Sequence, residues 1–373
     1  MRNKIGINLL YINPKLAGGS VTYALNLLEE LSIIDTETLY TVYINKDCTA
    51  LKFKIGSNFR LSVLNFRYTS VYVRYFWEQF VLPFYIFKDK LDLVHSLGYV
   101  TPLFTPIKKV VSILDINYKG HSGNMSAHKR KLLGLMVNLS ARVSKKIITI
   151  SEFSKKQIVE HTNTAPDKVL VTLLSGSNDK TIEVNKILDS KYNFDTPYII
   201  AFSSPSPHKN IERLINAFKL VSMEKQDLKL VLVGHKNKSE YLLDLIIKAK
   251  LLEKIIFTGF VPDDDIVPLI SSSKLFVFPS LYEGFGIPLL DAQQCNVPVV
   301  SSNAGSLPEV GGNGAVYFDP MNSDEMASTI LQVLNSNSKD EELKNKGLKN
   351  RESFSWNKTG LQTFELYKTI LTT

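Results

Sequence analysis

The chain has 373 residues, of which 44% are hydrophobic and 21% charged, enough for two α/β domains of similar size and unlike a disordered chain. No stretch approaches the ~20 apolar residues of a membrane-spanning helix, and the two cysteines, Cys48 and Cys295, are too far apart for zinc-ligand spacing or a disulfide framework. The net charge of +8 is uneven: residues 1–180 hold 24 Lys and Arg against 13 Asp and Glu, and residues 181–373 hold 20 against 23.

In chain order, Ile5–Tyr11 reads as a first buried strand; Asn8, Asn13 and Pro14 interrupt it too early for a secretory signal. Gly18-Gly19 then opens a helix over Val21–Leu31. Leu91–Val94, Lys109–Leu114 and Ile147–Ile150 read as further buried strands. Ser175–Thr196, rich in Gly, Ser, Asn and Asp, is the expected linker. After it the rhythm restarts with strands at Tyr198–Phe202, Leu228–Val233, Ile255–Thr258, Leu275–Pro279 and Val297–Ser301. Helices are expected at Asn210–Leu220 and Glu240–Lys250, a polar loop at Asn335–Glu342, and a last amphipathic helix carrying Trp356 and Phe364. Strands alternating with helical patterns imply a parallel sheet covered on both faces, and two such series imply two doubly wound domains.

In doubly wound sheets ligands bind beyond the carboxyl ends of the strands, so chemistry is sought in the loops that follow them. Gly18 and Gly19 before a helix allow backbone N–H groups to approach an anion, although a tight strand-to-helix turn explains most such pairs. The full G-x-G-x-x-G fingerprint is absent, which speaks against a nicotinamide cofactor. In the loop Ser203 to Asn210, Asn210 is expected to cap the next helix, and Lys209 lies where an ammonium meets a diphosphate. The strongest candidate is Phe278-Pro279-Ser280-Leu281-Tyr282-Glu283-Gly284-Phe285-Gly286-Ile287-Pro288-Leu289-Leu290-Asp291. Pro288 suits a first helical turn, the amides of Gly284, Phe285, Gly286 and Ile287 suit sugar hydroxyls or phosphate oxygens, Glu283 suits a sugar, and Asp291 a ribose.

Asp263-Asp264-Asp265 reads as acidic capping of a helix start in preference to a metal site. His95, His121 and His128 lack metal-ligand spacing. Asp115 follows a buried strand, where a functional carboxylate is expected. Arg67–Lys90 mixes basic residues with Tyr68, Tyr72, Tyr75, Phe76, Trp77, Phe80, Phe84, Tyr85 and Phe87, which suits a lipid interface, with most of these rings expected in the core and a minority at the surface. His128-Lys129-Arg130-Lys131 begins a second basic stretch. No recognition motif accompanies the charge, so nucleic acid is not an expected partner.

These residues carry a family resemblance over nearly the whole length. Phe257-Thr258-Gly259-Phe260-Val261-Pro262 through Leu307-Pro308-Glu309-Val310, and Ile148-Thr149-Ile150-Ser151-Glu152-Phe153-Ser154, resemble glycosyltransferase family 4; Gly18-Gly19 and His208-Lys209-Asn210 fit it too. The resemblance implies the GT-B fold: two facing Rossmann-like domains with a cleft between them, at residues 1–178 (acceptor) and 179–355 (nucleotide sugar), with a C-terminal helix at 356–373 packing back on the first domain. It implies a retaining, metal-independent transferase with no cofactor beyond its nucleotide diphosphate sugar. Glu283, Asp115 and Lys209 are its catalytic candidates, and Gly18, Gly19, Ser204, His208, Gly284, Phe285, Gly286, Ile287 and Asp291 its donor-binding candidates. Trp77-Glu78-Gln79 and the basic first half resemble bacterial members that build O-antigen, capsule or exopolysaccharide on lipid carriers. Those imply transfer of a hexose, mannose or rhamnose, to a polyprenyl-diphosphate-linked acceptor by a cytoplasmic protein peripheral on the inner face of the plasma membrane. Departures are Asp291 for the family's second Glu, Leu114 for its His, and a missing Arg near Ser204 or His208; the last two motivate a non-catalytic binding subunit as the alternative, with a nucleotide-sugar epimerase behind it.

Overall fold

The computed structural model describes residues 2–13, 18–119, 125–177, 194, 196–234 and 240–373. Pro14, His121, most of the expected linker and the expected boundary at 178/179 lie outside the described residues. Two compact units divide the chain: one comprises Met1–Ile116, Ser126–Leu174 and Ser355–Thr373, the other Asn117–Met125 and Ser175–Phe354.

The first unit is built on a seven-stranded sheet, all parallel: β1 (Lys4–Asn8), β2 (Leu39–Asn45), β3 (Phe59–Leu64), β4 (Leu93–Ser96), β5 (Lys108–Ser112), β6 (Lys146–Thr149) and β7 (Val169–Val171). Their spatial order is β3-β2-β1-β4-β5-β6-β7. The register sets Ile7 beside Val42 and His95. The helix Gly19–Ile34 turns Val21, Tyr23, Ala24, Leu27, Leu28 and Leu31 inward at the spacing of one helical face. The final helix Trp356–Thr372 belongs to this unit: a Cβ on its Gly360 would press on Glu30 and Ile34, and Tyr367 is buried against His95.

The second unit holds six parallel strands: β8 (Tyr198–Ser203), β9 (Lys229–Gly234), β10 (Ile255–Gly259), β11 (Leu275–Phe278), β12 (Val299–Ser302) and β13 (Val316–Phe318). Their order is β10-β9-β8-β11-β12-β13. In relative numbers this is 3-2-1-4-5-6, the Rossmann order, and the first sheet repeats it with one strand added. Ile211, Leu214, Ile215, Phe218 and Val221 on the helix Ile211–Glu224 pack onto the sheet, where each fully buried large side chain contributes about 2 kcal/mol.

Several expectations need correcting. Asn337–Arg351 is a helix where a polar loop was expected from Asn335 to Glu342. Few apolar residues mark it, with Leu343 buried on the inner side. Its start is made by the Ser336 hydroxyl accepting from the Lys339 N–H, and its surface by pairs such as Lys344–Asp340 and Lys346–Glu342. β2 and β3 escaped the sequence reading as well.

The aromatic segment is three joined turns: Val71–Phe76, a π-helical turn Trp77–Val81, and Leu82–Lys88. Most of its rings were expected in the core, yet Tyr72, Phe76, Phe80, Phe84 and Phe87 are all more than half exposed. They recur every three to four residues and so share one face. Inward-pointing Tyr75, Leu82 and Ile86 fill the core instead.

Candidate donor site at the switch point of the second sheet

The strand order of the second sheet reverses between β8 and β11, so the loops leaving these neighbours diverge and open a crevice at their carboxyl ends. Those loops carry Ser203–Asn210 and Pro279–Gly286, so two segments about 70 residues apart in sequence meet there because of the topology.

Lys209 Nζ lies 2.7 Å from Glu283 Oε1, and the Ser280 hydroxyl donates to the same oxygen at 2.7 Å. The side chains of Lys209 and Glu283 remain 22% and 16% exposed, enough for a ligand to reach both. Lys209 also stands 5.6 Å over the Phe278 ring. The loops are tied to each other through the backbone, Leu281 N–H donating to the His208 carbonyl at 2.7 Å. His208 and Lys209 form a single helical turn with Pro207, and the Ser204 hydroxyl accepts from the Ser206 N–H.

Asn210 stands at the start of its helix in left-handed conformation (φ 58°) but makes no side-chain cap. Its amide donates to the carbonyls of Pro279 (2.9 Å) and Pro320 (2.8 Å). The expected capping role is thereby replaced: buried carbonyls at the ends of β11 and β13 demand donors, and Asn210 supplies both.

The glycine loop is equally constrained. Gly286 has φ 109°, and a Cβ there would stand 2.7 Å from a Leu307 methyl. It precedes the helix Ile287–Gln294, which has no side-chain cap; Pro288 has no N–H and the Leu289 N–H donates to the Gly286 carbonyl at 3.0 Å, so in this first turn the Ile287 N–H suits an external acceptor. Gly284 is buried. The Phe285 ring packs edge-on against Phe354, leaving only its backbone to the site. Ser306 Oγ donates to the carbonyls of Glu283 (3.0 Å) and Phe285 (2.9 Å), and Gly305 (φ 65°) passes so close that a Cβ would meet the Glu283 carbonyl oxygen at 2.7 Å. Sequence reading missed Ser280, Gly305 and Ser306; the signal for the last two is a glycine and a serine in the loop after β12, next to β11 in the sheet.

Asp291 is 8% exposed and its Oδ1 accepts from the Ser177 N–H at 2.6 Å, where Gly176 leaves no room for a side chain. Burial pushes its carboxyl up to about 6, against the opposing pull of that N–H and of Arg351. Asp263, Asp264 and Asp265 occupy the first turn of the helix Asp263–Ser271.

In the first unit, Gly18 and Gly19 are exposed at the start of their helix, with nothing within 4 Å of a Cβ built on either. Asp115 follows β5 and accepts from the Tyr99 hydroxyl at 3.1 Å. His95 is fully buried between the Tyr367 hydroxyl and Ser112 Oγ; burial alone pulls its imidazole down to about 3, so it is a neutral core residue. His128 is exposed.

The fold is that of GT-B proteins, with two Rossmann-like units. It aligns over 100% of its length with sucrose-phosphate synthase from Thermosynechococcus elongatus (TM-score 0.79, 16% identity, 100% of that chain). It also aligns over 98% with HepE from Anabaena in complex with UDP and glucose (TM-score 0.76, 18% identity, 100% of that chain). Residues 185–350, which contain this site, match the family model described as glycosyl transferases group 1. Among curated relatives it is 34% identical over 233 residues to O-antigen chain mannosyltransferase B of Escherichia coli, an alignment spanning 61% of this chain and 61% of that relative. No helix among the described residues is long and apolar enough to cross a membrane.

Proposed function

We propose that the protein is a retaining, metal-independent glycosyltransferase that moves a hexose, mannose by preference and rhamnose next, from a nucleotide diphosphate sugar to a polyprenyl-diphosphate-linked oligosaccharide in surface-polysaccharide synthesis. The observation that carries the reading is the Lys209–Glu283 pair at the second switch point, beside the uncapped start of the helix Ile287–Gln294. The mannosyltransferase relative and the UDP complex of a structural neighbour support the donor class.

In this reading Glu283 accepts hydroxyl hydrogens of the sugar, and the amides from Gly284 to Ile287 donate to its oxygens. When the bond from the anomeric carbon to the diphosphate breaks, negative charge grows on the leaving oxygen; Lys209, with His208 and Ser204 alongside, meets it. Asp291 serves the ribose end. Asp115 acts on the acceptor side. The new bond forms on the face the leaving group vacates, which retains the anomeric configuration. The exposed aromatic face from Tyr72 to Phe87, flanked by Arg67, Lys88 and Lys90, rests on the inner face of the plasma membrane and brings the lipid-linked acceptor within reach.

A thermal-shift screen against GDP-, UDP- and dTDP-sugars, followed by transfer to a polyprenyl-diphosphate-linked acceptor with and without EDTA, tests the reading. Stabilisation by one nucleotide class and EDTA-resistant transfer with the donor's anomeric configuration are expected. Binding without transfer favours the non-catalytic subunit suggested by Leu114; release of a free sugar or isomer without acceptor favours an epimerase.

A further inference from the structure

We propose that Tyr99 is a positioning residue that sets the Asp115 carboxylate, and that Arg74 and Gln79 hold the loop on which Tyr99 stands. The proposal rests on the transferase reading above, in which Asp115 acts on the acceptor side. The first sheet has its own switch point, between β1 and β4, and the loop Leu97–Leu103 leaves β4 there. Tyr99 in this loop has φ 69°, a left-handed conformation that disfavours an aromatic side chain. Such strain persists only where the surroundings over-determine it, and it gathers at functional sites.

Those surroundings are on view. Arg74 Nη2 donates to the Gly98 carbonyl at 2.5 Å, and a Cβ on Gly98 would run into the Tyr11 ring. Gln79 Nε2 donates to the Thr101 carbonyl at 3.1 Å, while its Oε1 accepts from the Leu103 N–H at 3.0 Å. The Thr101 N–H donates to Ser140 Oγ at 3.1 Å. Arg74 is itself fixed by fully buried Glu78 (3.1 Å), whose other oxygen accepts from Asn8 at the end of β1. Between these ties the Tyr99 N–H donates to the Ser112 carbonyl at 3.0 Å, and its hydroxyl to Asp115 Oδ1 at 3.1 Å. A short loop thus draws side chains from three elements, and the end product of that restraint is one hydroxyl placed on one carboxylate.

Arg74 and Gln79 lie on the same joined turns that expose Tyr72, Phe76 and Phe80, so the residues that hold the loop are built into the aromatic segment. The π-helical turn at Trp77–Val81 is what lets both faces work. It changes the side-chain phase between Arg74 and Gln79, a device found often at functional positions.

Tyr99→Phe removes only the hydroxyl. It is expected to lower kcat about tenfold, the size of a lost hydrogen bond to a charged group, with KM for the nucleotide sugar and the melting temperature unchanged. Gln79→Glu turns the donor to Thr101 into an acceptor and should lower kcat likewise. The double variant should be no slower than the worse single one, because both act through the same carboxylate. Hydrogen exchange without substrate gives a readout independent of any donor: amides of Gly98–Leu103 should exchange faster in Gln79→Glu, with the rest of the first unit unchanged. Wild-type kcat in Tyr99→Phe alongside an inactive Asp115→Ala overturns the Tyr99 proposal and leaves the transferase reading standing. Full turnover in Asp115→Ala removes both Asp115 and Tyr99 from the mechanism. A rise in KM alone would make Tyr99 a binding group and equally overturn the proposal.

Discussion

The two units share a strand order and differ in what they place at its reversal. In the second unit the edge between β8 and β11 carries a partly exposed ion pair, Lys209–Glu283, backed by two glycines in left-handed conformation, Gly286 after β11 and Gly305 after β12. In the first unit the edge between β1 and β4 is filled: Asn8, Glu78, Arg74 and Ser96 are buried and bonded to one another or to the β4 loop, and what they present is Tyr99. One topology therefore offers two switch points, and loop chemistry decides that one is charged and open and the other filled and rigid.

The comparison breaks most readily at Glu283. Glu283→Ala should lower transfer by about 100-fold or more, as expected for a group aimed at the reacting sugar, with melting temperature unchanged; undiminished turnover would remove the second switch point from the chemistry. Gly305→Ala should destabilise the second unit by about 2–4 kcal/mol in thermal denaturation, because a Cβ at φ 65° stands 2.7 Å from the Glu283 carbonyl oxygen. Lys209→Ala should weaken nucleotide binding by about 1–3 kcal/mol in calorimetry, the value of a charged hydrogen bond.

The pH dependence of stability separates the units. His95 in the first unit stays neutral when folded, so the unfolded imidazole takes up protons the folded one refuses. Stability from this group is lost as pH falls from 6.5 towards about 3. Asp291 in the second unit behaves oppositely: between 3.8 and about 6 the folded carboxyl keeps a proton that the unfolded one has lost. Stability from that group therefore falls as pH rises through the window, by at most about 3 kcal/mol. His95→Gln should reduce acid sensitivity, and Asp291→Asn should melt progressively higher than the parent from pH 4 to 7. Phe80→Glu should leave stability within about 0.5 kcal/mol of the parent, while binding to anionic vesicles is lost.

The alternation of apolar runs and amphipathic stretches was enough to foresee two doubly wound units, because burial of both sheet faces leaves that mark on most central strands, although β2 was missed. The segment Phe278 to Asp291 announced itself through residue types that only a tight strand-to-helix passage needs: Gly286 at φ 109° and Pro288 in a first turn. Weakly apolar elements were illegible. The helix Asn337–Arg351 shows a polar surface with Leu343 turned inward, and a capping serine with spaced charges resembles a loop when read one residue at a time.

Exposure and partnership were settled only by the tertiary structure. Composition along 67–90 cannot say that Phe76, Phe80 and Phe84 face out while Tyr75 and Ile86 face in, since that depends on which side of the turns meets the sheet. Nor can local sequence join Lys209 to Glu283, take Asn210 from its helix to the carbonyls of Pro279 and Pro320, or draw Tyr99 to Asp115. Local propensity and periodicity act over a few residues and are written in the chain; the pairing of loops follows from strand order, which depends on burial across a whole sheet. The sequence by itself determined two parallel sheets and the segment that carries Glu283, and the fold decided what that glutamate touches.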